Sequence, residues 1–243
     1  MGDMRWEMGD WLLSQISLFF LSSLYIMQVP LHIFIILTAY LLGSLPSAVW
    51  IGNFFYGIDV RQHGSGNAGA TNTFRVLGKR AGVPVLFFDI LKGWAAVKVS
   101  YFVADMLGKE EFNSLQLTLG AAAIIGHIYP VFASFKGGKG VATLLGVTLA
   151  IHPLSALVGI LVFVFVLMVS KFVSLSSILA GLSFPISLMI LFPASSPTLI
   201  LFSLLTPAIL LVTHQKNIER LLKKEESKIY LFKKKEESQA AEE

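Results

Sequence analysis

From residue 31 onward the chain is a series of long apolar runs joined by short polar connections. A membrane-crossing helix needs about 20 mostly apolar residues. The stretches 31–55, 82–104, 115–133, 173–192 and 197–213 meet or approach that length. The run from 140 to 169 is too long for one helix and is interrupted by His152-Pro153. Proline ends or kinks a helix, so this run predicts a tight hairpin of two spans, 140–151 and 154–169. The pattern predicts an all-α polytopic integral membrane protein with seven transmembrane helices. Within the first span, Ser44 and Pro46 mark a kink. Asp89 and Lys92 fall inside the second, three positions apart. Ionisable groups at membrane depth pair with one another or face a site, and these two are expected to pair. His127 is expected to be a hydrogen-bonded packing residue.

Composition supports the membrane reading. Of 243 residues, 55% are hydrophobic and 14% charged, and the mean hydropathy is +0.72. Soluble domains carry about 25% charged residues. The absence of cysteine excludes disulfides, thiolate metal sites and cysteine nucleophiles. No His/Asp/Glu group has zincin or EF-hand spacing, so no metal is expected. The net charge of +4 conceals a strong asymmetry. Fifteen Lys and Arg fall in the connections 56–81, 134–139 and 170–172 and in the tail from 214, against Lys109 alone on the opposite side. Basic residues collect on the cytoplasmic side, which puts those connections and the C-terminus in the cytoplasm. Residues 1–30 read as an N-terminal extension: an interfacial helix, an extra span, or sequence upstream of a start at Met27. Residues 31–222 form the membrane domain. Residues 223–243 form a charged tail that touches anionic lipid through Lys233–Lys235.

Three polar clusters lie on the predicted cytoplasmic side. The first is RQHGSGNAGATNTFRVLG at 61–78. Its glycines, Gly64, Gly66 and Gly69, let the backbone approach an anion closely. Ser65, Asn67, Thr71 and Asn72 add polar side chains, and Arg75 adds a planar fork suited to phosphate. The Gly-x-Gly-x-x-Gly spacing follows no soluble-fold strand, so a dinucleotide fold is not expected. The second cluster is FKGGKGVAT at 135–143. It fails the P-loop pattern, because Ala133 stands where the first glycine belongs and Gly140 follows Lys139. What remains is Lys136, Lys139, Gly137, Gly138 and Gly140 at a helix N-terminus, where free N–H groups and the helix dipole favour anions. The third is His214-Gln215-Lys216-Asn217 at the end of the last span, with His214 and Asn217 three apart on one helical face. Together they suit a substrate with a phosphate head and an oily tail. An anion-conducting pore or a membrane scaffold also fits these residues.

These clusters, in this order and spacing, resemble the bacterial acyl-phosphate:glycerol-3-phosphate acyltransferase family of the PlsY type. The resemblance runs from about Leu31 to Glu226. It is carried by Gly43-Ser44, GSGNAGATN at 64–72 with Arg75 and Gly78, Asp89-Ile90-Leu91-Lys92-Gly93, Gly126 to Phe132, FKGGKGVAT, and His214, Asn217-Ile218 and Arg220-Leu221. It implies a seven-helix fold with a cytoplasm-facing active site. It also implies transfer of a fatty acyl group from acyl phosphate to the 1-hydroxyl of glycerol 3-phosphate, giving lysophosphatidate and phosphate, an early step of phospholipid synthesis. Ser65, Arg75, Lys139, His214 and Asn217 are the catalytic residues it implies, with the glycines and Lys136 as substrate binders. The family's acidic residue aligns with Glu226, although Lys224 stands where a glycine is common. Expected partners are acyl phosphate, glycerol 3-phosphate and the lipid bilayer of a bacterial inner membrane. A functional coupling to the enzyme that makes acyl phosphate is expected too. Nucleic acid is not an expected partner, and no cofactor is implied. The His-x4-Asp motif of acyl-CoA-dependent glycerolipid acyltransferases is absent: Leu37, Ala68, Phe132, Leu157 and Glu219 follow the five histidines at that spacing.

The expected mechanism is positioning and charge stabilisation. Lys139 and Arg75, with backbone N–H groups of both glycine loops, hold the phosphates. Ser65 binds an oxygen of the donor, and His214 and Asn217 orient the acceptor. A substrate phosphate oxygen is favoured over His214 as the base.

Overall fold

A computed structural model describes Gln15 and residues 29–193 and 196–229. The N-terminal extension before residue 29, Gln15 apart, and the tail from residue 230, with Lys233–Lys235, lie outside the described residues. Every regular element among the described residues is helical.

The first predicted span is two helices, α1 (Val29–Gly43) and α2 (Ser47–Tyr56), bent by 43°. Pro46 has no N–H to continue the ladder, and it sits at the start of α2. A β-carbon on Gly43 would overlap the Ala123 backbone, and one on Gly126 would overlap Tyr40 O. Small residues thus let α1 cross α5 (Lys109–Ile128) at backbone contact, as membrane helices commonly do. The connection 56–81 contains a further short helix, α3 (Ala70–Leu77). Its left-handed Gly78 turns directly into α4 (Lys79–Lys98), which tightens into a 3-10 segment, Val99–Met106. After α5 come a 3-10 turn, Val131–Ala133, and the second glycine loop.

The run from 140 to 169 divides into two helices at the predicted break. α6 (Val141–Ile151) and α7 (Pro153–Ser170) are joined by His152, whose Nδ1 accepts the Ser155 N–H at 3.2 Å. α8 (Val173–Ile186) runs on through a π turn, Ser187–Leu191. α9 (Pro197–Thr213) meets α10 (Gln215–Leu222) at a 65° bend on His214.

Among the described residues, three continuous helical segments are long and apolar enough to cross a membrane, and the two bent pairs raise the number to five. The other two predicted spans correspond to α4, which carries Lys79, Arg80, Asp89, Lys92 and Lys98, and to α6, which has 11 residues. α4 packs on α6 through glycine: a β-carbon on Gly93 would overlap Thr143 O, and one on Gly146 would overlap Ile90 O. α7 turns Leu157, Leu161, Val164 and Phe165 outward, an apolar exterior that suits lipid and not water. Asp89 and Lys92 do pair, with Oδ1 and Nζ 2.9 Å apart.

Candidate active site

The glycine loops and the α9–α10 bend meet at one end of the bundle. The first loop is organised by Asn72, which α3 holds in the interior. Its Nδ2 donates to Val60 O at 2.7 Å and to His63 O at 3.1 Å. Its Oδ1 accepts from Ser65 N at 2.8 Å and Ser65 Oγ at 3.1 Å. Gly64 and Gly66 are left-handed, with φ of 60° and 72°, and a β-carbon on Gly64 would overlap Asn72 Oδ1. Gly69 starts α3 without a side-chain cap, and a β-carbon there would sit 3.0 Å from Asn67 Oδ1. Thr71 is half-buried in the first turn of α3. Arg75 is exposed one turn after Asn72, with its stem beside Gly64. Asn72, expected as a phosphate binder, therefore has its amide committed to shaping the loop that presents Ser65.

The second loop lies flat on the end of α5. The Gly137 and Gly138 N–H groups donate to Ile128 O at 3.2 Å and His127 O at 3.1 Å. A β-carbon on Gly137 would overlap His127 O, and one on Gly138 would overlap His127 Nε2. These two N–H groups, expected to hold phosphate, are occupied by helix carbonyls. Their glycines are needed for close packing. Anion-binding capacity on this side lies with Lys139 and the first turn of α6, which Gly140 (φ 83°) opens without a side-chain cap. Helix N-termini present unpaired N–H groups in such a turn. Lys136 is exposed, and Lys139 is half-buried. Arg61 links the loops: its fork grips Asp59, with Nη2 2.8 Å from Oδ2, while Nη1 donates to Ala133 O at 2.9 Å.

The third cluster surrounds the end of α9. His214 Nδ1 lies 2.9 Å from Leu210 O. A carbonyl only accepts, so Nδ1 carries the proton and Nε2 keeps the lone pair. Asn217 Oδ1 accepts from Lys139 Nζ, and its Nδ2 donates to Glu226 Oε1 at 2.7 Å. Glu226 also accepts from Ser174 Oγ at 2.9 Å and Arg220 Nε at 2.8 Å. Its side chain is only 7% exposed. The chain reaches this position by reversing after α10. Lys224 is left-handed, with φ 59°. Glu225 N then donates to Arg220 O at 2.8 Å, and Ile229 N donates to Lys171 O at 2.9 Å. Lys224 thus fills a conformation that glycine adopts most readily.

Electrostatics follows from this packing. Burial, reinforced by Arg220 and Arg75 and opposed by Glu226, lowers Lys139 to about 8. Burial and the nearby Lys139 lower His214 to about 4. Burial alone would raise Glu226, but hydrogen bonds from Arg220, Asn217 and Ser174 outweigh it and hold the carboxylate below its ordinary range. The structure therefore joins Lys139, Asn217, Glu226 and Arg220 in one network, with Arg75 and His214 in its field. The loop that carries Ser65 borders the second loop where Ala68 O faces Gly138. The role of Ser174 could not be read from sequence, because one serine in a serine-rich helix carries no signal. Arg61 appeared there only as one more basic loop residue.

A family model described as glycerol-3-phosphate acyltransferase matches residues 33–224. The glycerol-3-phosphate acyltransferase of Enterococcus faecalis is 43% identical over 204 residues, covering 81% of this chain and 91% of that protein. Glycerol-3-phosphate acyltransferase 2 of Bacillus anthracis is 43% identical over 199 residues, covering 82% of this chain and 100% of that protein. Among solved structures, the crystal structure of PlsY, an integral membrane glycerol 3-phosphate acyltransferase, is similar in its glycerol 3-phosphate form. The TM-score is 0.74 at 37% identity, covering 82% of this chain and 96% of that one. Its lysophosphatidic acid form gives a TM-score of 0.70 at 36% identity, covering 82% and 95%.

Proposed function

Since this chain belongs to the family of integral membrane glycerol-3-phosphate acyltransferases, we propose that its acyl donor is an acyl phosphate. The 1-hydroxyl oxygen of glycerol 3-phosphate attacks the acyl carbon, the bond from that carbon to the phosphate oxygen breaks, and lysophosphatidate and inorganic phosphate leave. An acyl phosphate is a mixed anhydride with a good leaving group, so the protein must mainly position the partners and stabilise charge. The observation that carries the reading is the Lys139–Asn217–Glu226 network, with Arg75 and Arg220 in its field, beside the Ser65 loop. Lys139 and Arg75 hold phosphate oxygens, aided by the uncapped first turns of α3 and α6. Ser65 donates its hydroxyl to a donor oxygen. The His214 ring, with Nδ1 held by Leu210, offers Nε2 to the acceptor. A histidine lowered to about 4 is a weak base near neutrality. The hydroxyl proton therefore passes to a phosphate oxygen of the donor. No acyl-enzyme and no cofactor is needed to balance the reaction.

In this reading α4 and the short α6 complete a set of seven spans. The fifteen-to-one placement of Lys and Arg puts the glycine loops and the C-terminus in the cytoplasm. The test is purified protein with acyl phosphate and labelled glycerol 3-phosphate. Lys139→Ala and Arg75→Ala should each raise KM for glycerol 3-phosphate and slow turnover to a rate that is still measurable. Wild-type rates for both would refute the phosphate clamp, and an acyl group trapped on Ser65 would refute direct transfer.

A further inference from the structure

Three ionisable side chains lie together inside the bundle, apart from the network just described: Asp89 and Lys92 on α4 and His127 on α5. All three are buried. Asp89 Oδ1 accepts from Ser47 Oγ at 2.7 Å, and it lies 2.9 Å from Lys92 Nζ and 3.6 Å from His127 Nδ1. Lys92 Nζ also donates to Leu45 O at 2.9 Å, within the break between α1 and α2. Buried charges are expensive, more so at membrane depth, and apolar side chains of similar size often hold helices together at least as well. Stability is therefore a weak account of why they are there.

The other edge of the His127 ring supplies a better one. Nε2 abuts Gly138 so closely that a β-carbon would overlap it. The backbone carbonyl of the same residue accepts the Gly138 N–H at 3.1 Å. The imidazole is thus the seat of the second glycine loop, one residue before Lys139. Asp89 lies on the Nδ1 side of the ring, and Lys92 and Ser47 hold Asp89.

We propose that Asp89, Lys92 and His127 form a positioning cluster that fixes the seat of the second glycine loop and so sets Lys139 against Asn217 and the substrate phosphate. The inference rests on the phosphate-binding role of Lys139. None of the three touches substrate. They act through Lys139, where a displacement of about 1 Å can change rates by about 100-fold.

The test is the double variant Asp89→Asn/Lys92→Met, which removes both charges and leaves neither buried without its partner. KM and kcat for glycerol 3-phosphate and the melting temperature are measured with and without Lys139→Ala. The expected result is a folded protein with KM raised at least about tenfold and kcat changed less. In the Lys139→Ala background the double variant should raise KM no further. A folded double variant with wild-type KM would overturn the proposal, as would an effect that multiplies with that of Lys139→Ala. If Lys139→Ala alone leaves KM unchanged, the phosphate role of Lys139 fails first and takes the proposal with it. Should the double variant not fold, Ser47→Ala makes the same comparison by removing one hydrogen bond to Asp89. It should raise KM about two- to fivefold in a protein that still folds, with a melting temperature lowered by the lost hydrogen bond, and an unchanged KM there overturns the proposal.

Discussion

The lowered Lys139 makes phosphate binding depend on pH in a range where the protein can be assayed. With its ammonium brought to about 8, Lys139 is about nine-tenths protonated at pH 7 and about one-tenth at pH 9. Only the ammonium holds the phosphate dianion, and a hydrogen bond to a charged group is worth about 1.5–3 kcal/mol. kcat/KM for glycerol 3-phosphate should therefore fall about tenfold for each pH unit above 8, until the residual rate of the neutral form is reached. Neither the substrate phosphate nor His214 titrates in that window. The substrate phosphate takes its second charge near pH 6, and His214 titrates at about 4. The control is Lys139→Arg, whose guanidinium stays charged throughout. It should lose some activity through altered geometry, and its alkaline limb should flatten. Initial rates between about pH 6.5 and 10, at subsaturating glycerol 3-phosphate, measure both profiles. A wild-type profile that is flat to pH 10, or an alkaline limb unchanged in Lys139→Arg, would refute the assignment.

Lys224→Gly should stabilise the protein by about 0.5–1 kcal/mol, the relief of a left-handed lysine less the entropy glycine adds to the unfolded chain. That is a rise of about 1–4 °C in melting temperature, and Lys224→Ala should give none of it. Gly138→Ala should abolish most activity by driving the loop off the His127 ring. Gly138 is not left-handed, so the defect is steric and should appear as raised KM together with about 1–3 kcal/mol of lost stability. Asn72→Ala removes both hydrogen bonds that Asn72 donates and both that it accepts. It should cost about 2–3 kcal/mol and lower kcat/KM through loss of the Ser65 loop, which melting and activity assays read separately. Glu226→Gln should destabilise the protein at neutral pH. The folded carboxylate is lowered, so its stabilisation is present above its ordinary pKa and lost as pH falls through the folded value. The wild-type and variant melting curves should therefore converge in acid.

The apolar runs carried most of the architecture. The helix break at His152-Pro153 and the apolar helix at 197–213 follow from local chemistry, namely a residue that cannot continue a helix and a long oily run. The connection 56–81 was less legible, because α3 is short and polar. It is held in place by what Asn72 reaches across the loop, a tertiary fact without a period. The glycines of FKGGKG are a clear signal with an ambiguous cause. Sequence suggested open N–H groups, whereas Gly137 and Gly138 serve close packing on His127 and leave Lys139 as the charged contact. Lys224, where a glycine is common, left the role of Glu226 open in the sequence. The backbone accepts lysine in the left-handed conformation, and Glu226 still reaches Asn217 and Arg220. Its position depends on a chain reversal that the tail's composition does not announce.

The central claim is direct acyl transfer from acyl phosphate. It is tested by incubating the purified protein in detergent with acyl phosphate and labelled glycerol 3-phosphate, with acyl-CoA as the alternative donor in a parallel reaction. Acyl phosphate should give labelled lysophosphatidate and an equal amount of inorganic phosphate, and acyl-CoA should give no product. Product formed from acyl-CoA at a comparable rate, or no lysophosphatidate from acyl phosphate, would contradict it.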